Sequence, residues 1–156
     1  MIQLGHILHP TDFSEPAKQA MAYALELAQR FDAEIHTLYV LPPMAVTPWS
    51  AGGFVPPSMV EAEEQHRLEA ANKLKSLIPS NEGGNPTVHH DVRDGTPFIR
   101  IIEYAREADI DLIVMGTHGH SGLKHMLLGS VAEKVVRKAP CPVLSVRPEG
   151  HQFVMP

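Results

Sequence analysis

Between Gly116 and Ser130 the chain reads Gly-Thr-His-Gly-His-Ser-Gly-Leu-Lys-His-Met-Leu-Leu-Gly-Ser, a stretch that gathers glycine, hydroxyl and imidazole groups in one place. Glycine permits positive φ and close approach of the backbone to a ligand. A loop of this kind that ends at a helix start can offer unpaired N–H groups and the positive end of a helix dipole to phosphate oxygens. Thr117 and Ser130 add hydroxyls. The competing reading is a turn that needs glycine only to join a strand to a helix. Two standard nucleotide motifs are absent: there is no G-x-x-x-x-G-K-[ST], and no G-x-G-x-x-G follows the first strand.

Other residues capable of chemistry have plainer readings beside the sharp one. His118, His120 and His125 would suggest zinc, but no second ligand cluster of recognisable spacing accompanies them and the loop holds no carboxylate. They read as solvated or phosphate-facing. Lys124 is either solvated or in reach of a phosphate. Asp12 is a ligand candidate, or a capping residue three positions before Glu15. Cys141, between Pro140 and Pro142, suits packing better than catalysis, and His89-His90 read as surface residues of a polar strand.

These residues need elements to position them, and the apolar pattern supplies a strand–helix alternation. Gly5 to Pro10 reads as a strand ended by proline. A helix follows from Ser14, a good N-cap, with Ala17, Met21, Ala24, Leu25, Ala28 and Phe31 at helical spacing. Glu34 to Val40 is a second strand. Leu41 to Pro57, with five prolines and Gly52-Gly53, is a surface excursion within one domain. Ser58 and Glu61 suggest a capping box for a helix to Ile78, with Leu68, Ala71, Leu74 and Ile78 on one face. Pro79 ends it, and Ser80 to Pro86 is a polar loop.

Thr87 to Arg93 is a polar third strand. Gly95-Thr96-Pro97 then provides a turn, an N-cap and a first-turn proline, with Phe98, Ile101, Ile102 and Ala105 periodic behind it. Leu112 to Met115 is a strand apolar at every position, as a central parallel strand must be. A last helix, Ser130 to Lys138, precedes a fifth strand, Val143 to Val146. Alternation of this kind predicts an α/β fold with a five-stranded parallel sheet and helices on both faces. Placing the polar strand at an edge and strands one and four centrally gives the order 3-2-1-4-5. Winding reverses between strands one and four, and ligands bind at the carboxyl ends of strands flanking such a point. Pro10-Thr11-Asp12 would thus face Gly116 and its loop.

Composition sets outer limits. The chain has 156 residues, 44% of them hydrophobic and 20% charged, enough for one domain with its own core. It lacks an apolar run near the roughly 20 residues that span a bilayer. Its first residues do not read as a signal peptide, and one cysteine allows no internal disulfide, so a cytoplasmic, non-membrane protein is expected. A net charge of −5 argues against nucleic acid.

Gly116-x-x-Gly119, nine residues, then Gly129-Ser130 resembles the G-2x-G-9x-G(S/T) signature of ATP-binding universal stress proteins. His9-Pro10-Thr11-Asp12-Phe13-Ser14 is similar to that family's first strand and loop. Asp111 to Gly116 resembles its fourth strand, and Ala139-Pro140-Cys141-Pro142-Val143-Leu144 its entry to strand five. The similarity covers residues 2 to 147, implying one Rossmann-like domain over 1–147, of the adenine nucleotide alpha hydrolase type, with a tail at 148–156.

The resemblance also implies roles. Asp12, with backbone around Val40, would take adenine, and Pro10 and Thr11 would line that end. Met115, Gly116 and Thr117 would contact the ribose and α-phosphate side. His118, Gly119 and His120 would continue the cradle to Gly129, Ser130 and Val131 at the β- and γ-phosphates. Mg²⁺ would be held through phosphate oxygens. The expected function is an ATP-binding stress-response regulator whose protein partner the sequence does not name. A slow ATPase or nucleotidyl transferase is the alternative, disfavoured as an efficient enzyme because the loop has no arginine. A purely structural protein with an empty crevice is the third possibility, disfavoured by the resemblance because related stress proteins that do not bind ATP lack these spaced glycines. The apolar fifth strand, at a sheet edge, is expected to pair with its counterpart in a homodimer.

Overall fold

The computed structural model describes residues 2–43, 56–78, 86–117 and 128–147. Five strands, β1 (His6–Pro10), β2 (Glu34–Leu41), β3 (Val88–Asp94), β4 (Leu112–Gly116) and β5 (Val143–Val146), form one sheet in the order β3-β2-β1-β4-β5. Its four strand pairings are parallel. Helices α1 (Glu15–Phe31), α2 (Pro57–Leu77), α3 (Pro97–Glu107) and α4 (Ser130–Lys138) connect them. The expected α/β class and strand order are those observed.

The two-residue period of the strands sorts side chains to the two faces. Ile7, Ile35 and Val114 pack against Ala20, Met21, Ala24 and Ala28 of α1, with Ile78 just beyond α2 in the same layer. Leu8, Leu38, Ile113 and Met115 meet Ile101, Tyr104 and Ala105 of α3 and Ala132 and Val135 of α4. Ile7, Leu8, Ile35, Leu38, Ile113 and Val114 have no exposed surface, and burial of each contributes about 1.5–3 kcal/mol.

Three local expectations are corrected. Phe31 and Leu68, read as core-facing, are 43% and 58% exposed. The buried line of α2 and its end is Ala70, Leu74 and Ile78, and at about 100° per residue Leu68 lies about 160° round the helix from Ala70. Phe31 is the last residue of α1, where Asp32 at φ 54 turns the chain away. The Ser58–Glu61 capping box does not form. α2 opens at Pro57, with Pro56 at the N-cap and no side-chain cap, because proline's fixed φ suits a first turn and its missing N–H is not needed there.

Thr96 does occupy the N-cap of α3, without capping through its side chain, whereas Ser14 caps α1 by accepting from the Ala17 N–H. β2 continues to Leu41, one residue into the 41–57 excursion; residues 44–55 and the 148–156 tail lie outside the described residues.

β1 and β4 are joined over only two positions, Ile7 with Leu112 and Leu8 with Ile113. The Thr11 N–H donates to Leu38 on β2 at 2.9 Å, so the alternating ladder turns Pro10 toward β4. Proline has no N–H to give. The Val114 carbonyl is instead bonded by His9 Nδ1 at 2.9 Å. A carbonyl only accepts, so His9 carries its proton on Nδ1. Burial lowers its pKa to about 4, outweighing the Val114 bond and Asp12, which act the other way.

An unfolded histidine titrates near 6.5, so on acidification the unfolded chain takes up this proton first. The stability contributed by neutral His9 is therefore present above about pH 6.5 and lost as pH falls toward about 4. In urea unfolding His9 should account for about 2 kcal/mol of the stability lost between about pH 7.5 and pH 5. His9→Asn, which keeps a donor for Val114 without titrating, should lose correspondingly less; an unchanged pH slope would refute the assignment.

Candidate functional site

Where β1 and β4 part, a cavity of about 680 Å³ opens at the carboxyl ends of the strands, within the roughly 300–1,000 Å³ usual for small-molecule sites. Ten of the residues predicted from sequence line it. Pro10, Thr11 and Asp12 come from the end of β1, Val40 from β2, Met115, Gly116 and Thr117 from the end of β4, and Gly129, Ser130 and Val131 from the start of α4. His118, Gly119 and His120, with Lys124 and His125, lie outside the described residues.

Tyr39, Pro42, Pro97 and Ile101 also line the cavity and were not predicted. Ile101 read only as core periodicity, and α3 covers the sheet near its carboxyl edge, so its first turns serve both. Cys141 is not among the lining residues. It packs against the core beneath α3 and α4, and burial pushes its thiol up, as the packing reading expected.

The loop after β1 is built by short side-chain bonds. Thr11 Oγ1 accepts from the Phe13 N–H at 3.0 Å, and Asp12 Oδ1 accepts from the Ser14 N–H at 3.0 Å. Phe13 between them sits at φ 63, a left-handed conformation that costs a non-glycine residue about 1–2 kcal/mol. Its ring rests on Tyr39 at 4.9 Å between centroids, with Lys73 Nζ 5.6 Å from its centre. The N-cap of α1 is Ser14, so Asp12 is not the head of a capping box with Glu15; it turns the chain while bordering the cavity.

The other wall rests on Thr117, which is 1% exposed. Its N–H donates to Val146, and its carbonyl accepts from the Gly129 N–H at 2.6 Å, so β5, β4 and α4 meet at this residue. Gly129 is the N-cap of α4 and supplies no side-chain cap. The positive end of α4 therefore borders the cavity through Ser130 and Val131. Among the described lining residues there is no lysine or arginine. Burial, reinforced by Asp12, pushes the Tyr39 phenol up and keeps it neutral.

Gly116 is needed for packing as well. A Cβ there would lie 2.9 Å from the carbonyl carbon of Pro16 and 3.0 Å from its oxygen, so the first turn of α1 seats directly on the end of β4. Gly116→Ala is expected to destabilise the fold by about 1–3 kcal/mol even without ligand. Urea unfolding of the ligand-free variant at parental stability would contradict this.

Comparison with known proteins places this geometry. Residues 4–147 match the model of the universal stress protein family. Universal stress protein MJ0531 of Methanocaldococcus jannaschii is 37% identical over 143 residues, covering 90% of this chain and 81% of that one. The solved structure of MJ0577, the designation of a universal stress protein of the same organism, superposes with a TM-score of 0.79 at 30% identity, covering 96% of this chain and 99% of that one. A universal stress protein solved in complex with cAMP shares the fold at 23% identity, with a TM-score of 0.63 and coverage of 94% and 98%. The chain belongs to the universal stress protein family.

Proposed function

We propose that this chain binds ATP in the cavity between β1 and β4 and acts as a nucleotide-dependent regulator in stress responses. One observation carries the reading: a single cavity is bordered both by a carboxylate, Asp12, and by the uncapped start of α4. The first suits the exocyclic amino group of adenine, the second suits phosphate. The related protein in complex with cAMP supports an adenine nucleotide as the ligand class.

In this reading Asp12 and the backbone at Val40 take adenine, and Pro10 and Thr11 line that end. Met115, Gly116 and Thr117 meet the ribose and α-phosphate, and His118, Gly119, His120, Gly129, Ser130 and Val131 cradle the remaining phosphates. Mg²⁺ fits as an ion carried by the phosphates, offsetting charge that the described lining residues do not neutralise. Efficient phosphoryl transfer needs a positioned base and cationic stabilisation of the transition state, so any hydrolysis is expected to be slow. A cytoplasmic location belongs to the same proposal, supported by the lone Cys141.

Calorimetry with Mg-ATP should detect binding to the parent chain. Asp12→Ala should weaken it about tenfold or more, as expected for loss of a hydrogen bond to a charged acceptor. A parent that does not bind ATP, or an Asp12→Ala variant that binds like the parent, would overturn the reading.

Assembly is part of the proposal. β5 borders the sheet with β4 as its neighbour and leaves Leu144 36% exposed, so Val143–Val146 would pair with the same strand of a second chain. Sedimentation at micromolar concentration should show a dimer that Leu144→Asp converts to monomer; a monomeric parent contradicts it.

A further inference from the structure

At the amino end of the strands, away from the cavity, three side chains bring metal-binding atoms together. Glu34 opens β2, His36 follows two residues on and so faces the same way, and His89 is the register partner of His36 on β3. One ring nitrogen of each histidine and a carboxylate oxygen of Glu34 lie within 4.8 Å of one another. Glu34 Oε2 and His89 Nε2 are already hydrogen-bonded at 2.8 Å, and the His89 ring stacks on His36 at 4.6 Å between centroids. His36 is 8% exposed. Its Nδ1 is hydrogen-bonded with the Tyr104 hydroxyl at 2.9 Å, while its buried Nε2 has no hydrogen-bond partner among the described residues.

We propose that Glu34, His36 and His89 form a binding site for a divalent transition-metal cation of the Zn²⁺ type. Two imidazoles and a carboxylate are a common zinc donor set, with a fourth position left for water. Ligand atoms about 2.1 Å from a tetrahedral zinc lie about 3.4 Å apart. The bonded Glu34–His89 pair must therefore open slightly and the widest separation must close. Both side chains are nearly half exposed and have room to rotate, whereas His36 is the fixed anchor. With the Tyr104 hydroxyl accepting from Nδ1–H, the ring presents its Nε2 lone pair, an outer contact of the kind that orients metal-binding histidines. His6, whose ring stands edge-on to His36 at 5.6 Å, is a further imidazole bordering the site.

Zn²⁺ titrated by calorimetry into the chelator-stripped full chain, prepared without a histidine tag, should bind at about one ion per chain. His89→Ala and Glu34→Gln alter exposed side chains and should weaken binding at least about tenfold. His90→Ala, on the other face of β3, should not weaken it. Co²⁺ should give the visible absorption of a four-coordinate ion in the parent and lose it in His89→Ala. Equal Zn²⁺ affinity in the parent, His89→Ala and Glu34→Gln would overturn the proposal.

Discussion

The missing N–H of Pro10 is the constraint on which the working end of this molecule depends. A proline at that position cannot extend the ladder to β4, so the two central strands part after Leu8 and Ile113. The Val114 carbonyl left behind is satisfied by a side chain, the imidazole ring of the preceding residue, His9. Burying that ring requires it to be neutral. The crevice is thus kept open by a proline and an uncharged histidine acting together, and its rim inherits Thr11 and Asp12 from the same few residues.

The same economy governs how the site is walled. Alanines along α1 let that helix lie close to the sheet, and Gly116 lets its first turn rest on the end of β4. On the far side, Thr117 ties β5 and α4 to β4 through its backbone. The cavity is lined mainly by apolar residues and bordered by the uncapped start of α4, with Asp12 as the charged group among the described lining residues. A chain of net charge −5 can still receive phosphate on such a surface, because helix-end N–H groups act locally where net charge does not.

β2 serves both ends of the sheet. Its carboxyl half contributes Tyr39 and Val40 to the cavity, and its amino half places Glu34 and His36 beside His89. Much of the fold was legible in the sequence because it follows from short-range rules: strand periodicity, a serine cap, a proline stop and a glycine turn. The site was legible in part because spaced glycines and Asp12 are local signals that resemble a known family. Tyr39, Pro97 and Ile101 were not, since each belongs to an element read for its core face alone. His89 read as a surface residue and is one, but its parallel register with His36 is invisible along the chain.

By itself the sequence determined the alternation of strands and helices, the order of the sheet, the end of β1 at Pro10 and the identity of most residues around the crevice. These are set by backbone chemistry and by apolar periods that act within a few residues. Tertiary structure alone decided that Gly116 is required by the seating of α1, that Leu68 faces water, that His9 is a buried neutral ring and that His36 is buried beside it on β2. Each of those depends on what another element brings within about 3–5 Å, a distance that only the folded packing of separate segments defines.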